Sequence, residues 1–347
     1  MRNLFWNRDE RRFRMVWRLL GQLLFLILAL LPLQLLAGLV AGALLGPEGL
    51  PPEASGDLGQ AQIWLTQNPL WMTLASVTTT LAMLASVWAA ARWLDRRRLA
   101  DLGLRLNRQW WADLGFGMAL GFVLMTLIFV VQLLAGWVTI QDTFVAPDAT
   151  SFGIGMALAI IIFVCIGFYE ELFSRGYQLT NLAEGFSGLR HRGSTLPVWL
   201  ATILSAAVFG VLHLMNPNAS WMGAINIMVV GVLTLGLGYI LTGQLGISIG
   251  LHITWNLVQG NVYGFPVSGV DFRSATVFLI EQQGPELWTG GAFGPEAGLL
   301  GLLATLLGAL LIVWWTRRSY GRAVVREEIA TYEPLSPPPA PEADSTP

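Results

Sequence analysis

Long apolar segments alternate with short polar ones along most of the chain. Each apolar segment is close to the roughly 20 residues that a helix needs to cross the hydrocarbon core of a bilayer. We predict about eight such helices, at residues 17–45, 70–93, 112–137, 152–180, 196–214, 221–243, 245–262 and 297–316. The seventh is the weakest, because it is short and carries His252 and Asn256. The pattern therefore predicts an all-α protein, a polytopic transmembrane helical bundle.

The positions of the arginines indicate how these helices are oriented. All 20 basic residues are Arg. All but Arg175 and Arg273 fall near the start of the first helix, after the second and fourth helices, or after the last. Because Arg-rich loops stay in the cytoplasm, we expect both termini to be cytoplasmic. We expect an integral protein of the bacterial cell membrane.

The same pattern divides the chain into parts. We predict N-terminal helices with an Arg-rich loop at 1–145, a core at 150–262, an extracytoplasmic Gly-rich loop at 263–296, a last helix at 297–318 and a tail at 319–347. The simplest interpretation of the loop is an external cap without chemistry. The tail is rich in Pro and polar residues, so we expect it to be cytoplasmic and disordered.

Composition supports a membrane protein. The chain is 54% hydrophobic and only 12% charged, whereas soluble domains carry about 25% charged residues. Cys165 is the single cysteine, which excludes an intrachain disulfide and a cysteine-rich metal site.

Three of the predicted helices carry polar groups that are costly in a membrane and therefore suggest function. They are Glu170, Glu171 and Arg175 in the fourth, His213 (four residues after the apolar Phe209) in the fifth, and His252 and Asn256 in the seventh. Glu171 and Arg175 are four residues apart, so they can form an ion pair. Glu170 is turned by about 100° and is free to face a cavity. The other two pairs repeat the four-residue spacing, so three helices could converge on one polar pocket.

Such a pocket suits hydrolysis. Burial makes a carboxylate a stronger base, which can activate water, and an imidazole and an amide can stabilise an oxyanion. Two His with one or two Glu would equally suit a zinc site, although HExxH is absent. Each cluster alone could be structural: an ion pair at a helix end, a histidine at the interface, or hydrogen bonds between helices. The three together make a purely structural role a poor explanation.

The motifs in these helices resemble those of a known family. EELFSRG matches EExxxR, FGVLH matches FxxxH and HITWN matches HxxxN, in that order. This set resembles the CPBP family, the CAAX-protease and bacteriocin-processing group of intramembrane endopeptidases, also called Abi. The resemblance covers roughly 150–262 and implies a bundle with a conical intramembrane cavity. It implies that Glu170 activates water with help from His213, that His252 and Asn256 stabilise the oxyanion, and that Glu171, Arg175 and Phe209 support the site.

The resemblance leaves cofactor and substrate open. The family is often called a metalloprotease family, and a divalent metal such as zinc would be held by Glu170, His213 and His252. A metal-free glutamate mechanism fits the same residues. We expect a membrane-associated protein or peptide substrate and contact with the lipid bilayer, and no nucleic acid. Two other hypotheses remain: a transporter with a proton or cation relay at Glu170 and Glu171, and a catalytically silent immunity or scaffold protein.

Overall fold

The computed structural model describes residues 4–45, 68–146, 151–189, 194–272 and 275–333. The bundle consists of helices α1 Met15–Leu45, α2 Pro69–Asp95, α3 Arg108–Leu134, α4 Phe152–Gly185, α5 Leu196–Leu212, α6 Trp221–Thr242, α7 Gly246–Leu257 and α8 Leu299–Tyr320. Among the described residues, seven helices are long and apolar enough to cross a membrane, and α7 is the shorter exception. The predicted fold class, a polytopic helical bundle, is confirmed.

Capping residues explain where several helices begin and end. The Asn68 side chain accepts a hydrogen bond from the Trp71 backbone N–H at the start of α2, and Asn107 accepts one from Trp110 at the start of α3. Helix α6 stops at Gly243, whose φ of 69° is left-handed and suits glycine. This stop produces the tight turn between α6 and α7.

Helix α7 lies in the interior of the bundle, against α3. A Cβ atom on Gly117 would lie 2.3 Å from the Ile247 carbonyl oxygen, and one on Gly250 would lie 2.2 Å from the Leu114 carbonyl oxygen. The two helices approach so closely because small residues form their interface. All residues from Gly246 to Trp255 are buried. A helix surrounded by other helices can therefore be shorter and more polar than one that faces lipid.

A buried ionic cluster closes one end of the bundle. Arg12 and Arg18 contact Glu184 at 2.7 and 2.8 Å, Arg97 pairs with the same carboxylate, and Arg18 also contacts Asp95 at 2.8 Å. Burial alone would lower the pKa of Arg97, but Glu184 and Asp95 outweigh it and hold that pKa above its ordinary value. The cluster thus joins the chain before α1 to the ends of α2 and α4.

The first and last described segments of the chain meet at this same end. The Arg12 guanidinium lies 3.5 Å from the centre of the Tyr332 ring, and the Arg326 N–H donates to the Ile240 carbonyl at 2.9 Å. Of the predicted tail, residues 319–333 are described and pack against the bundle, whereas 334–347 lie outside the described residues.

Two small antiparallel sheets complete the fold. Strands β1 Trp6–Asn7 and β2 Arg12–Phe13 pair near the ionic cluster. Strands β3 Val138–Val145 and β4 Thr276–Gln282 pair at the opposite end, with Val138 opposite Gln282 and Val145 opposite Thr276. A single turn of helix, Glu286–Thr289, follows. The loop predicted at 263–296 is therefore partly a strand that is tied to the segment after α3.

Candidate functional site

Helix α4 carries the two glutamates near its middle. It continues to Gly185, beyond the predicted end at residue 180, so Glu171 lies well inside the bundle and level with the polar residues of α5 and α7. The helix changes from α to π geometry at Leu172–Leu179, directly after Glu171. Such π segments are frequent at functional sites.

Glu171 is fully buried between two positively polarised partners. Its Oε1 atom accepts from Arg175 Nη1 at 2.9 Å and from His252 Nδ1 at 2.8 Å. The predicted ion pair within α4 is therefore present. The second partner comes from α7, and nothing in the local spacing predicts it. Glu171 consequently connects α4 to α7 and fixes the orientation of the His252 ring.

Arg175 is enclosed by two further helices. Its guanidinium carbon lies 4.4 Å from the centre of the Phe209 ring of α5, and its Nη2 donates to the Gly231 carbonyl of α6 at 3.4 Å. A Cβ atom on Gly231 would lie 3.0 Å from Nη2, so glycine provides the space that the guanidinium occupies. The cation–π contact gives Phe209 a structural role beside the charged pair.

Glu170 points in the other direction, into a cavity of about 260 Å³. Its side chain keeps 25% exposure, and its Oε2 atom lies 3.6 Å from His252 Nε2. His213 and Asn256 line the same cavity. The structure therefore brings together the polar residues that the sequence predicted, and it separates the two glutamates: Glu171 is enclosed, and Glu170 is accessible.

Hydrogen-bond partners assign the protons of both histidines. His213 Nδ1 lies 2.7 Å from the Phe209 carbonyl oxygen, which can only accept, so Nδ1 carries hydrogen. His252 Nδ1 donates to Glu171 in the same way. His252 Nε2 then faces the Glu170 carboxylate at 3.6 Å, a distance longer than a hydrogen bond.

The long loop after α7 forms another wall of the cavity. Ser268 and Phe272 line it opposite the helices. Asn261 fixes this loop by donating to the carbonyls of Phe272 at 3.1 Å and Ala275 at 2.6 Å, and Asn216 donates to the Ser268 carbonyl at 3.0 Å. The loop is part of the candidate site, in contrast to the external cap without chemistry that the sequence suggested.

Glu296, a residue that sequence reasoning missed, holds this wall in place. Its Oε1 accepts from the Ser268 N–H at 2.5 Å and from the Ser268 hydroxyl at 3.1 Å, and its Oε2 accepts from Gln259. Burial raises the pKa of Glu296 to about 7, although the hydrogen bonds oppose the shift. Glu296 lies outside all three motifs, and no local signal distinguishes it from the exposed Glu281 and Glu286 of the same loop.

A small second cavity of about 30 Å³ joins Glu296 to the predicted site. His213, His252 and Asn256 line it as well. A volume of this size has room for one or two water molecules, and the lining offers several polar partners. The loop carboxylate therefore belongs to the same polar environment as the motif residues.

The possible metal ligands do not fit a metal ion in this arrangement. Within the described ranges, no group of three or more His, Cys, Asp or Glu side chains is placed to hold one ion. The Nδ1 atoms of His213 and His252 are engaged by a carbonyl and by Glu171, which leaves only their Nε2 atoms as possible ligands. Glu170, His213 and His252 therefore share a cavity without forming a ligand set, and we assign no step to a metal.

Comparisons with known proteins agree with the motif region. Residues 152–258 match the family described as type II CAAX prenyl endopeptidase Rce1-like. The chain is 28% identical over 230 residues to the uncharacterized protein YyaK of Bacillus subtilis (strain 168), a match that covers 61% of this chain and 70% of that one. No solved structure matches the chain significantly. The matched family segment contains all the predicted site residues and ends before the loop that carries Glu296.

Proposed function

We propose that Glu170 activates water to hydrolyse a peptide bond, on the premise that residues 152–258 match the family described as type II CAAX prenyl endopeptidase Rce1-like. The family supports the fold and class of an intramembrane endopeptidase. The observation that carries the proposal is the unequal exposure of the two glutamates. Glu171 is 0% exposed and accepts two hydrogen bonds, from Arg175 and His252. Glu170 is 25% exposed in the cavity beside His252.

The proposed reaction begins with water bound between Glu170 and the substrate carbonyl. Glu170 accepts a proton from the water while the water oxygen bonds to the carbonyl carbon of the substrate. His213 Nε2, which is free to accept a hydrogen bond, helps to orient that water. The carbonyl oxygen gains negative charge, and the Asn256 amide and the protonated His252 donate hydrogen bonds to it. The carbon–nitrogen bond then breaks, and the proton on Glu170 passes to the leaving amine.

In this proposal, the remaining residues hold the reacting groups in place. Glu171 fixes the ring of His252 through Nδ1, so that Nε2 points toward Glu170 and the cavity. Arg175 balances the charge of Glu171 and is itself held by Phe209. Preorganised donors stabilise a developing charge without reorganising during the reaction. The substrate class that suits this site is a membrane-associated protein or peptide.

The test is a comparison of peptide termini in the membrane proteome of cells that express the wild type, Glu170→Gln or Glu286→Gln. Glu286 is exposed and lies outside the cavity, so it provides a matched control. We expect new termini with the wild type and the control, and a loss of about 100-fold or more with Glu170→Gln, because general-base catalysis contributes at least about that factor. Equal thermal stability of the purified variants would exclude misfolding. Cleavage that persists in Glu170→Gln would refute the proposal.

A further inference from the structure

The cavity lies toward one end of the bundle. On α2, it is lined by residues in the first three turns, from Met72 to Thr79, whereas Arg92 lies in the last turns of α2 and Arg96, Arg97 and Arg98 follow its far end. On α7, the lining residues His252 and Asn256 belong to the second half of the helix. The loop residues Ser268 and Phe272 complete this wall. Every one of these elements places the cavity in the half of the bundle away from the termini.

The opposite direction is closed by buried side chains. On α4, Leu172, Arg175, Tyr177 and Leu179 follow Glu170 toward the ionic cluster, and all of them are at most 1% exposed. Beyond them, Glu184 and its arginine partners form another buried layer. A peptide could not reach Glu170 from this end without unpacking both layers. Among the described residues, the cavity lies toward the end that carries β3, β4 and the long loop.

The distribution of charge identifies the side of the membrane on which the closed end lies. By position in the sequence, all but two of the 20 basic residues precede α1, fall in its first turn, or lie near or after the last residues of α2, α4 and α8, which are the helix ends nearest the closed end. The exceptions are Arg175, inside the site, and Arg273, in the long loop. Because arginine-rich segments remain in the cytoplasm, the closed end is the cytoplasmic one.

We propose that the active-site cavity opens to the extracytoplasmic side, and that the substrate is an extracytoplasmic segment of a membrane-anchored protein or peptide, next to its anchor. The substrate part of this inference rests on the proposed function. The orientation of the cavity does not depend on it. The cavity wall combines apolar side chains, among them Phe163, Ile166 and Phe272, with the polar groups. Such a wall suits a peptide that emerges from the bilayer, whereas a cytoplasmic C-terminal tail would meet the closed end.

Orientation is tested by labelling single cysteines with a membrane-impermeant maleimide. In a Cys165→Ala background, Ser268→Cys reports on the cavity, Glu286→Cys on the long loop and Glu328→Cys on the closed end. Glu286 and Glu328 are both exposed, so they form a matched pair. We expect intact cells to label the first two, and Glu328→Cys to be labelled only after permeabilisation. Labelling of Glu328→Cys alone in intact cells would overturn the orientation.

The substrate class is tested by mapping Glu170-dependent cuts on membrane proteins of known topology. Cuts in extracytoplasmic segments close to a membrane anchor would support the inference. Cuts in cytoplasmic C-terminal tails, with Glu170→Gln as the inactive control, would overturn the substrate class while leaving the proposed function intact. If no cut depends on Glu170, the proposed function fails and the substrate class with it, and the labelling still reports the orientation independently.

Discussion

Replacing Arg175 by Met would leave the Glu171 carboxylate in a site that excludes water. The two side chains are 1% and 0% exposed and 2.9 Å apart. Removing one partner of a buried ion pair costs about 3–5 kcal/mol, because the other charge stays buried and unbalanced. His252 still donates to Glu171, so we expect the lower limit, about 3 kcal/mol of unfolding free energy. Reversible unfolding in mixed micelles, followed by the fluorescence of the 15 tryptophans, would measure it.

A double variant isolates the charge effect. Glu171→Gln keeps an oxygen that can accept from His252 but removes the negative charge. The loss of unfolding free energy in the double variant Arg175→Met with Glu171→Gln should therefore be smaller than the sum of the two single losses, by about 1 kcal/mol or more. Asp101 and Arg105 provide the control, since they have the same spacing but are 38% and 62% exposed and 3.9 Å apart. Arg105→Met should cost about 0.5 kcal/mol or less. If Arg175→Met costs no more than Arg105→Met, or if the single effects simply add, the reasoning is wrong.

Two other predictions concern packing and pH. Gly117→Ala places a Cβ 2.3 Å from the Ile247 carbonyl and should destabilise the protein by about 1–3 kcal/mol. Gly115→Ala, two residues away with open space, should be neutral or stabilising by up to about 1 kcal/mol, and equal effects in the same unfolding assay would contradict the helix contact. The raised pKa of Glu296 means that the folded protein holds this proton more tightly than the unfolded chain. The stabilisation of the folded state by protonated Glu296 is therefore fully present below pH 4.5 and is lost as pH rises through about 7. The loss in unfolding free energy is about 3 kcal/mol at most. Glu296→Gln should flatten the change in unfolding free energy between pH 5 and pH 8, and an unchanged slope would count against this role.

Local patterns explain why so much of the fold could be predicted. The length of an apolar segment reports a membrane helix because the bilayer sets that length. The spacing of Glu171 and Arg175 reports their ion pair because helix geometry places residues four apart on one face. The short and polar α7 was the weakest prediction. Its burial against α3 depends on glycines of both helices, which only the assembled bundle brings into contact.

The sequence alone determined the helical bundle, the motif residues and the difference in direction between Glu170 and Glu171, because each follows from composition or from the period of a helix. The tertiary structure decided which groups those residues meet. His252 lies 81 positions from Glu171 and shares a hydrogen bond with it, and Glu296 holds Ser268 across the cavity from the motifs. It also decided that the cavity is closed toward the arginine-rich end. These contacts join helices and loops that are distant in the chain, so they depend on packing, which no local pattern specifies.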